Sequence, residues 1–249
     1  MALIASLTAS ADDLQKKALA DYDNKNYPAA IADYEQLAKQ SGVSAEYYFN
    51  LGNVYYRSGK KGKAVVNYER ALRLNPRYDK AQANLDFVNT KITDNPQADE
   101  NILAVGVANV QKALSPTAWS IMAMTVFLLF LAGMAAYTFG SSIMLRKVGF
   151  FGGLAMLAVC VIANVFAVKA DNAATSRDYA VVMADSTQLS TVSRAPASKD
   201  EVAFMLHEGV KLKKVDSLRA DGDVKNLWYK VQTSDNREAW IKSTAVEEI

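Results

Sequence analysis

The chain has 249 residues, with 28 Lys and Arg against 26 Asp and Glu, so its net charge is +2. This balance argues against nucleic-acid binding by the chain as a whole. One Cys and one His exclude an internal disulfide and a Cys/His zinc site from a single chain, and any nucleophile–histidine pair would have to use His207. We therefore expect no metal, no cofactor and no catalytic residue.

Residues 1–11 have the composition of the end of a secretory signal peptide. Met1 to Leu7 is mostly apolar, and Ala9-Ser10-Ala11 is an A-x-A-like cleavage site before two aspartates. A basic segment ahead of the apolar run is missing, so a frayed helix start is the alternative. We interpret residues 1–11 as a signal-peptide remnant.

A repeat with a period of 34 residues organises residues 12–92: Ala30 recurs as Ala64, and Tyr34 as Tyr68. The apolar residues within each copy have helical spacing. The pattern predicts one copy at 12–44, a second at 45–78 and a capping helix at 79–92.

The second copy resembles the tetratricopeptide repeat (TPR). Its matching positions are Tyr48, Leu51, Gly52, Tyr55, Ala64, Tyr68, Ala71 and Pro76. The resemblance implies a short solenoid whose first helices line a concave groove for extended peptide segments of partner proteins. The groove positions carried over to this chain are Tyr22, Phe49, Asn53, Tyr56, Arg57, Lys80, Asn84 and Phe87. For the polar members of this set, plain solvation of a helix face is the alternative.

Two uncharged, apolar runs follow a linker at 93–116. Residues 117–139 and 148–168 are each long enough to cross a bilayer as a helix, and a short loop at 140–147 joins them. A buried helix of a soluble protein is the alternative. The two runs predict a transmembrane hairpin with both flanking segments on one side of the membrane.

The orientation of the hairpin follows from charge. Arg146 and Lys147 in the loop favour a cytoplasmic loop, and the signal-like N-terminus agrees. We expect both flanking segments in the periplasm, with the chain anchored in the inner (cytoplasmic) membrane. Neither run contains an ionisable Asp, Glu, Lys, Arg or His, which argues against a transporter.

Residues 172–249 have a different pattern, with apolar and polar residues alternating in short runs. Turn signals such as Glu208-Gly209 and Asp221-Gly222-Asp223 separate these runs. The pattern predicts five or six strands of a small barrel. The runs are Ala180–Met183, Gln188–Arg194, Val202–Leu206, Val210–Ser217, Trp228–Thr233 and Glu238–Ile241.

This segment resembles the bacterial SH3-like domain, through LHEG at 206–209, WYKVQ at 228–232 and AWI at 239–241. The resemblance implies an aromatic surface for peptide partners, with Tyr179, Trp228, Tyr229 and Trp240 as candidates. A core position is the alternative for both tryptophans. The predicted fold class is thus multi-domain: an all-α TPR solenoid, a two-helix transmembrane hairpin and an all-β SH3-like small barrel.

The order of these parts resembles the BatE-like membrane-anchored repeat proteins of the Bacteroides aerotolerance (Bat) operons. That resemblance implies an inner-membrane complex with von Willebrand A-domain Bat proteins and a MoxR-linked system, in oxidative or envelope stress. The first hypothesis is a non-catalytic scaffold or adaptor for protein partners. The second is a cell-wall sensor or anchor that binds peptidoglycan through the SH3-like domain. The third, an enzyme or transporter, lacks supporting residues.

Overall fold

The computed structural model describes residues 2–94, 106–183 without 108 and 112, 186–189, 202–219 and 227–249. The chain forms two compact units. The first combines Met1–Asp99 with Arg177–Ile249, and the second is Glu100–Ser176. The helical repeat region, two apolar helices and an antiparallel C-terminal sheet are all confirmed. Part of the predicted linker, residues 95–105, lies outside the described residues.

Antiparallel helical hairpins form the N-terminal part of the first unit. The helices are α1 (Ala2–Asp23), α2 (Tyr27–Ser41), α3 (Ala45–Arg57), α4 (Lys61–Leu74) and α5 (Asp79–Asn89). The Ser44 hydroxyl caps α3 by accepting a hydrogen bond from the Tyr47 backbone N–H. Helix α1 runs without a break through residues 2–11, and cleavage of a signal peptide there stays a prediction.

Close contact between α3 and α4 builds the core of the second repeat. Gly52 lies directly against the ring of Tyr68, and a Cβ at this position would stand 2.7 Å from Tyr68 Cε1. Both Tyr68 and Ala64 are fully buried. The glycine therefore lets a large aromatic ring fill the space between the two helices.

The C-terminal part of the first unit is a sheet of order β6-β5-β4-β1-β7 with a separate β2–β3 hairpin. Ala180 of β1 pairs with Leu212 of β4 on one side and Glu248 of β7 on the other. Strand β7 was not predicted, and residues 190–194 and 221–223 of the predicted strands and turns lie outside the described residues. The strands are β1 (Tyr179–Val182), β2 (Ser186–Leu189), β3 (Phe204–His207), β4 (Lys211–Arg219), β5 (Leu227–Gln232), β6 (Glu238–Lys242) and β7 (Val246–Glu248).

The sheet packs against helix α4, so the segments before and after the apolar helices form one body. Gly62 allows this contact, because a Cβ there would stand 2.9 Å from the carbonyl oxygen of Val182. Its backbone N–H donates to Glu208 Oε1 at 2.8 Å. Val65 and Val66 are both buried, since neighbouring repeat helices cover one side of α4 and the sheet covers another.

Ion pairs surround this contact between helix α4 and the sheet. The Glu247 carboxylate contacts Lys63 Nζ at 2.5 Å and Arg70 Nη1 at 3.1 Å. Lys211 Nζ contacts Glu69 Oε1 at 2.7 Å. The side chain of Glu247 is only 24% exposed, so its two cationic partners are screened less than on an open surface.

The second unit contains the two apolar helices, α6 (Pro116–Phe139) and α7 (Ile143–Thr175). Residues Pro116–Phe139 and Ile143–Asn172 are long and apolar enough to cross a membrane. The two helices approach each other closely at glycines: a Cβ on Gly149 would stand 2.6 Å from the Gly133 carbonyl oxygen. The Asn164 amide donates to the Cys160 carbonyl of its own helix at 3.0 Å.

Gly149→Ala should separate α6 from α7, because the added methyl group meets backbone atoms that cannot move aside as a side chain would. We expect a loss of about 1–3 kcal/mol in the free energy of unfolding of the hairpin. Thermal unfolding in detergent micelles, followed by circular dichroism, would measure it. Gly152→Ala is the matched control, since nothing lies within 4 Å of its Cβ position. Equal loss in both variants would contradict the glycine contact.

Glu247→Gln should weaken docking of the sheet on α4 by about 1–2 kcal/mol, because two cations lose a partly buried partner. A double-mutant cycle with Lys63→Met would isolate the pair through urea unfolding of the full chain. We expect the two effects to be non-additive. Glu238→Gln is the control, since Glu238 pairs with Lys230 inside the sheet. Additive effects of Glu247→Gln and Lys63→Met would contradict the ion pair.

Candidate functional site

The face formed by α1, α3 and α5 carries the predicted groove residues. Helices α3 and α5 contact each other directly on this face. One contact is a hydrogen bond between amide side chains, and the next, one turn further along the helices, is a contact between aromatic rings. The polar level joins Asn53 to Asn84, and the aromatic level joins Tyr56 to Phe87. The sheet lies against α4 instead, so it covers a helix that does not belong to the groove face.

Asn53 is the polar centre of the groove face. Its Oδ1 accepts hydrogen bonds from the Tyr68 hydroxyl at 2.8 Å and from Asn84 Nδ2 at 2.7 Å. Tyr68 is 1% exposed, and this burial raises the pKa of its hydroxyl above the ordinary range. The hydroxyl therefore stays a hydrogen-bond donor and holds the Asn53 amide in one orientation.

The two amides keep unused hydrogen-bonding groups. Within the described residues, Asn53 Nδ2 and Asn84 Oδ1 make no hydrogen bond. They are a donor and an acceptor on one small patch, which is the pair that a peptide backbone needs for its C=O and N–H. The arrangement can therefore hold one residue of an extended segment.

Aromatic rings border this amide pair. The Tyr56 and Phe87 rings meet edge to face with centroids 5.7 Å apart, and Phe87 remains 50% exposed. Lys91 Nζ lies 5.5 Å from the Phe87 ring centroid. Phe49 is half-buried against Tyr68 and Tyr78, at centroid distances of 6.2 and 5.1 Å. Phe87 is thus the ring most available to an apolar side chain of a partner.

The α1 side of the groove face is held by Tyr22 and Arg57. The hydrogen bond between the Arg57 guanidinium and the Tyr22 hydroxyl raises the pKa of Arg57. Tyr22 also contacts Tyr27, with ring centroids 6.1 Å apart. Lys80, at the start of α5, is exposed.

The structure brings most predicted groove residues together in pairs, but two contributors were missed. Lys91 lies four residues after Phe87, and this spacing was a readable signal for a cation beside the ring. Tyr78 lies in the turn before α5, where helical periodicity does not predict which way a side chain points. A role of all eight predicted residues in partner binding stays a prediction.

The predicted aromatic residues of the sheet are largely used within the first unit itself. Lys211 Nζ lies 4.7 Å from the ring centroid of Tyr179 and also pairs with Glu69 of α4. The Tyr229 hydroxyl donates to Glu248 Oε1 at 2.6 Å. Burial and then this bond raise the pKa of Tyr229 to about 12.

The two tryptophans of the sheet differ in exposure. Trp228 is half-buried, with Lys242 Nζ 5.4 Å from its ring centroid. Trp240 is 5% exposed, and its neighbours Ala239 and Ile241 on β6 are also buried. This low exposure favours the alternative of a core position for Trp240, and its predicted role in partner binding stays a prediction. A Trp within an apolar strand is compatible with both a surface position and a core position, so the sequence pattern did not distinguish them.

His207, the only histidine of the chain, is part of the contact between the repeats and the sheet. Its Nδ1 and its backbone N–H, the latter at 2.8 Å, are both bonded to Asp94 Oδ2. Among the described residues, no group of three or more His, Cys, Asp and Glu side chains could hold a metal ion.

Comparison with known proteins identifies one family within the chain. The family model of the tetratricopeptide repeat matches residues 45–78, which contain α3 and α4. A search of the curated proteins found no match. The TPR resemblance of the second copy is therefore confirmed, and such a repeat indicates a role in protein–protein interaction.

Asn53→Ala should destabilise the helical repeats, because it leaves the buried Tyr68 hydroxyl and the Asn84 amide without their acceptor. We expect a loss of about 1–3 kcal/mol in the free energy of unfolding, measured by chemical denaturation of the full chain in detergent. Asn50→Ala is the matched control on α3, since Asn50 makes no side-chain hydrogen bond with the described residues. If the two variants unfold alike, Asn53 does not organise the groove.

Proposed function

We propose that the protein is a membrane-anchored, non-catalytic adaptor whose groove binds an extended segment of a partner protein. One observation carries the proposal: Asn53 Nδ2 and Asn84 Oδ1, which bond to none of the described residues, lie on the same face as the half-exposed ring of Phe87. Backbone recognition by amides and side-chain recognition by an aromatic ring are complementary parts of peptide binding. The match of residues 45–78 to the tetratricopeptide repeat supports the same role.

Membrane anchoring is supported by the surface of α6 and α7. Large apolar side chains point outward along both helices, including Ile121, Phe151 and Ile162. Such exposure is costly in water and favourable in a bilayer. The packing of Met1–Asp99 with Arg177–Ile249 in one unit also agrees with a hairpin, because both segments then have to lie on the same side.

The inner membrane and the periplasm are the proposed location. Arg146 and Lys147 lie in the first two turns of α7, next to the loop at 140–142, and the positive-inside rule then favours the cytoplasmic side for this end of the hairpin. The repeats and the sheet would then both be periplasmic. The signal-like residues 1–11 support this orientation.

We infer an SH3-like arrangement for the C-terminal sheet. Strand β2 approaches β6, which brings the β2–β3 hairpin to one edge of the five-stranded sheet. A 3-10 turn at Ser243–Ala245 joins β6 to the last strand. These features support a small barrel. We propose that this barrel, like the groove, binds a protein partner.

A complex of the Bat type is the proposed setting, with von Willebrand A-domain membrane proteins and a MoxR-linked system as partners in oxidative or envelope stress. The order of repeat, apolar hairpin and sheet supports it. The absence of a catalytic function is likewise a proposal, supported by the match to the tetratricopeptide repeat, because such repeats are usually non-catalytic. Peptidoglycan binding through the sheet is the weaker alternative, because Trp240 is buried and the Tyr229 hydroxyl is bonded to Glu248.

Photo-crosslinking in living cells tests the groove. A benzophenone amino acid replaces Phe87, and in a control protein it replaces the exposed Lys213 of β4. We expect a protein adduct from position 87 that is missing from position 213, because a bound segment lies against the Phe87 ring. Identification of the adduct by mass spectrometry names the partner.

The identity of the crosslinked protein tests the adaptor role and the Bat setting separately. A von Willebrand A-domain membrane protein would support the Bat setting, whereas another protein would keep the adaptor and remove that setting. The same adducts from both positions, or none from either, would contradict partner binding in the groove.

A further inference from the structure

Helix α7 carries one amide whose hydrogen-bonding groups the apolar hairpin does not fully use. Asn164 is exposed on this helix. Its Nδ2 donates to the Cys160 carbonyl oxygen at 3.0 Å and lies 3.5 Å from Cys160 Sγ, a weak acceptor. Its Oδ1 accepts no hydrogen bond from the residues that the structure describes. The amide therefore keeps a free acceptor and one donor that has only a sulfur atom as partner.

The position of Asn164 along the apolar run makes this free acceptor costly. At a rise of 1.5 Å per residue, Asn164 lies about 9 Å from the middle of residues 148–168. The hydrocarbon layer of a bilayer extends about 15 Å on either side of its middle, so the amide would lie within it. Lipid tails offer no hydrogen bond, and a polar group without a partner is destabilising there. The hydroxyls of Thr125 and Thr138, by contrast, donate to carbonyls of their own helix.

Asn164 belongs to a regular line of exposed side chains on α7. Leu154, Leu157, Val161, Asn164 and Val168 follow one another at spacings of three, four, three and four residues. This alternation is the heptad spacing of helices that pack side by side as a coiled coil. The four apolar members are between 37% and 59% exposed. We name these five residues the outer seam.

The contact with α6 uses a different flank of α7. Gly149 lies against Gly133, and Cys160 Sγ donates to the Ala123 carbonyl oxygen at 3.5 Å. Ala163 is fully buried in this contact. The outer seam therefore stays accessible to a further helix after the hairpin has formed.

A second copy of the same chain complements the outer seam. Two copies enter a membrane in the same orientation, so their Asn164 side chains lie at the same depth. An amide contains both a donor and an acceptor, so two asparagines that meet across a twofold axis satisfy each other. Val161 and Val168 at one heptad position, with Leu157 at the other, are residue types that favour two strands in a parallel coiled coil.

We propose that α7 forms a parallel homodimer within the membrane through the outer seam, in which the Asn164 amides of the two copies hydrogen-bond to each other. The proposal rests on the membrane anchoring in the proposed function, but not on the groove. A dimer would present two grooves on one side of the membrane. A partner with two binding segments would then be held more tightly than a partner with one.

Disulfide formation in native membranes tests the outer seam in the full chain. Cys160, the only cysteine, is replaced by Ala, and a new cysteine is introduced by Val161→Cys or, as the matched control, by Ile162→Cys. The two positions are almost equally exposed, at 56% and 54%, but they point about 100° apart. A disulfide needs Cα atoms within about 7 Å of each other. After oxidation with copper–phenanthroline, we therefore expect a covalent homodimer from Val161→Cys and none from Ile162→Cys.

Asn164→Leu removes the amide at nearly constant volume, whereas Asn164→Gln keeps an amide. Energy transfer between fluorescently labelled full chains in detergent micelles measures the Kd of the dimer. We expect Asn164→Leu to raise this Kd at least about 5-fold, because the hydrogen bonds across the outer seam are lost. Asn164→Gln should change it less than about 2-fold, because donor and acceptor are both retained. Circular dichroism of each variant checks that the helices stay folded.

The outcomes separate this proposal from the proposed anchoring. Disulfides from both positions, or from neither, would overturn the outer seam as a dimer contact, and so would a disulfide from Val161→Cys to a different membrane protein. An unchanged Kd in Asn164→Leu would overturn the role of the amide. Alkaline carbonate extraction of the same membranes tests anchoring by itself. Release of the chain would contradict the anchoring, whereas a retained chain without a dimer would contradict only the homodimer.

Discussion

The contact of Gly52 with Tyr68 determines both the packing of the second repeat and the geometry of the groove. A side chain at position 52 would occupy the place of the Tyr68 ring, so the glycine is what allows a tyrosine to lie there. The ring fills the space between α3 and α4, and its hydroxyl emerges at Asn53. Asn53 in turn positions Asn84 on α5. The interior of the repeat and its groove face are therefore linked through one buried side chain, and a change in the packing of α4 would alter the positions of Asn53 and Asn84.

Helix α4 has a second role, because it is shared by the repeats and the sheet. One of its surfaces packs in the repeat, and the other receives the sheet through Gly62 and the ion pairs of Glu247. This arrangement leaves the groove on the other side of the helical layer free of the sheet. It also unites two segments that are separated in sequence by the apolar helices. A partner bound in the groove and a ligand bound to the sheet would therefore be held by the same compact unit.

The packing of the two apolar helices differs from that of the first unit. Outward-facing large side chains and glycines at the mutual contact of α6 and α7 are what a bilayer favours, since lipid provides no hydrophobic force between helices. Gly133 and Gly149 bring the two backbones close, whereas the large residues stay on the outside. Cys160 contacts the Ala123 carbonyl within this pair, so its thiol has a packing role.

The sequence by itself determined the elements and the repeat. The 34-residue period and the residue types at Tyr48, Gly52, Ala64 and Tyr68 suffice for the TPR, because helix packing needs small and large residues at those spacings. The length of the uncharged runs suffices to predict the two apolar helices. The alternation of apolar and polar residues suffices to predict most of the strands. Only the tertiary structure decided that Trp240 is buried, that Asn53 already accepts two hydrogen bonds, and that β7 and Glu247 dock on α4. Alternation shows which residues share a face of a strand, but not what covers that face. Three consecutive buried residues, Ala64-Val65-Val66, cover more of the circumference of α4 than packing against one neighbour requires. Only the tertiary structure shows that the sheet is the second neighbour of this helix.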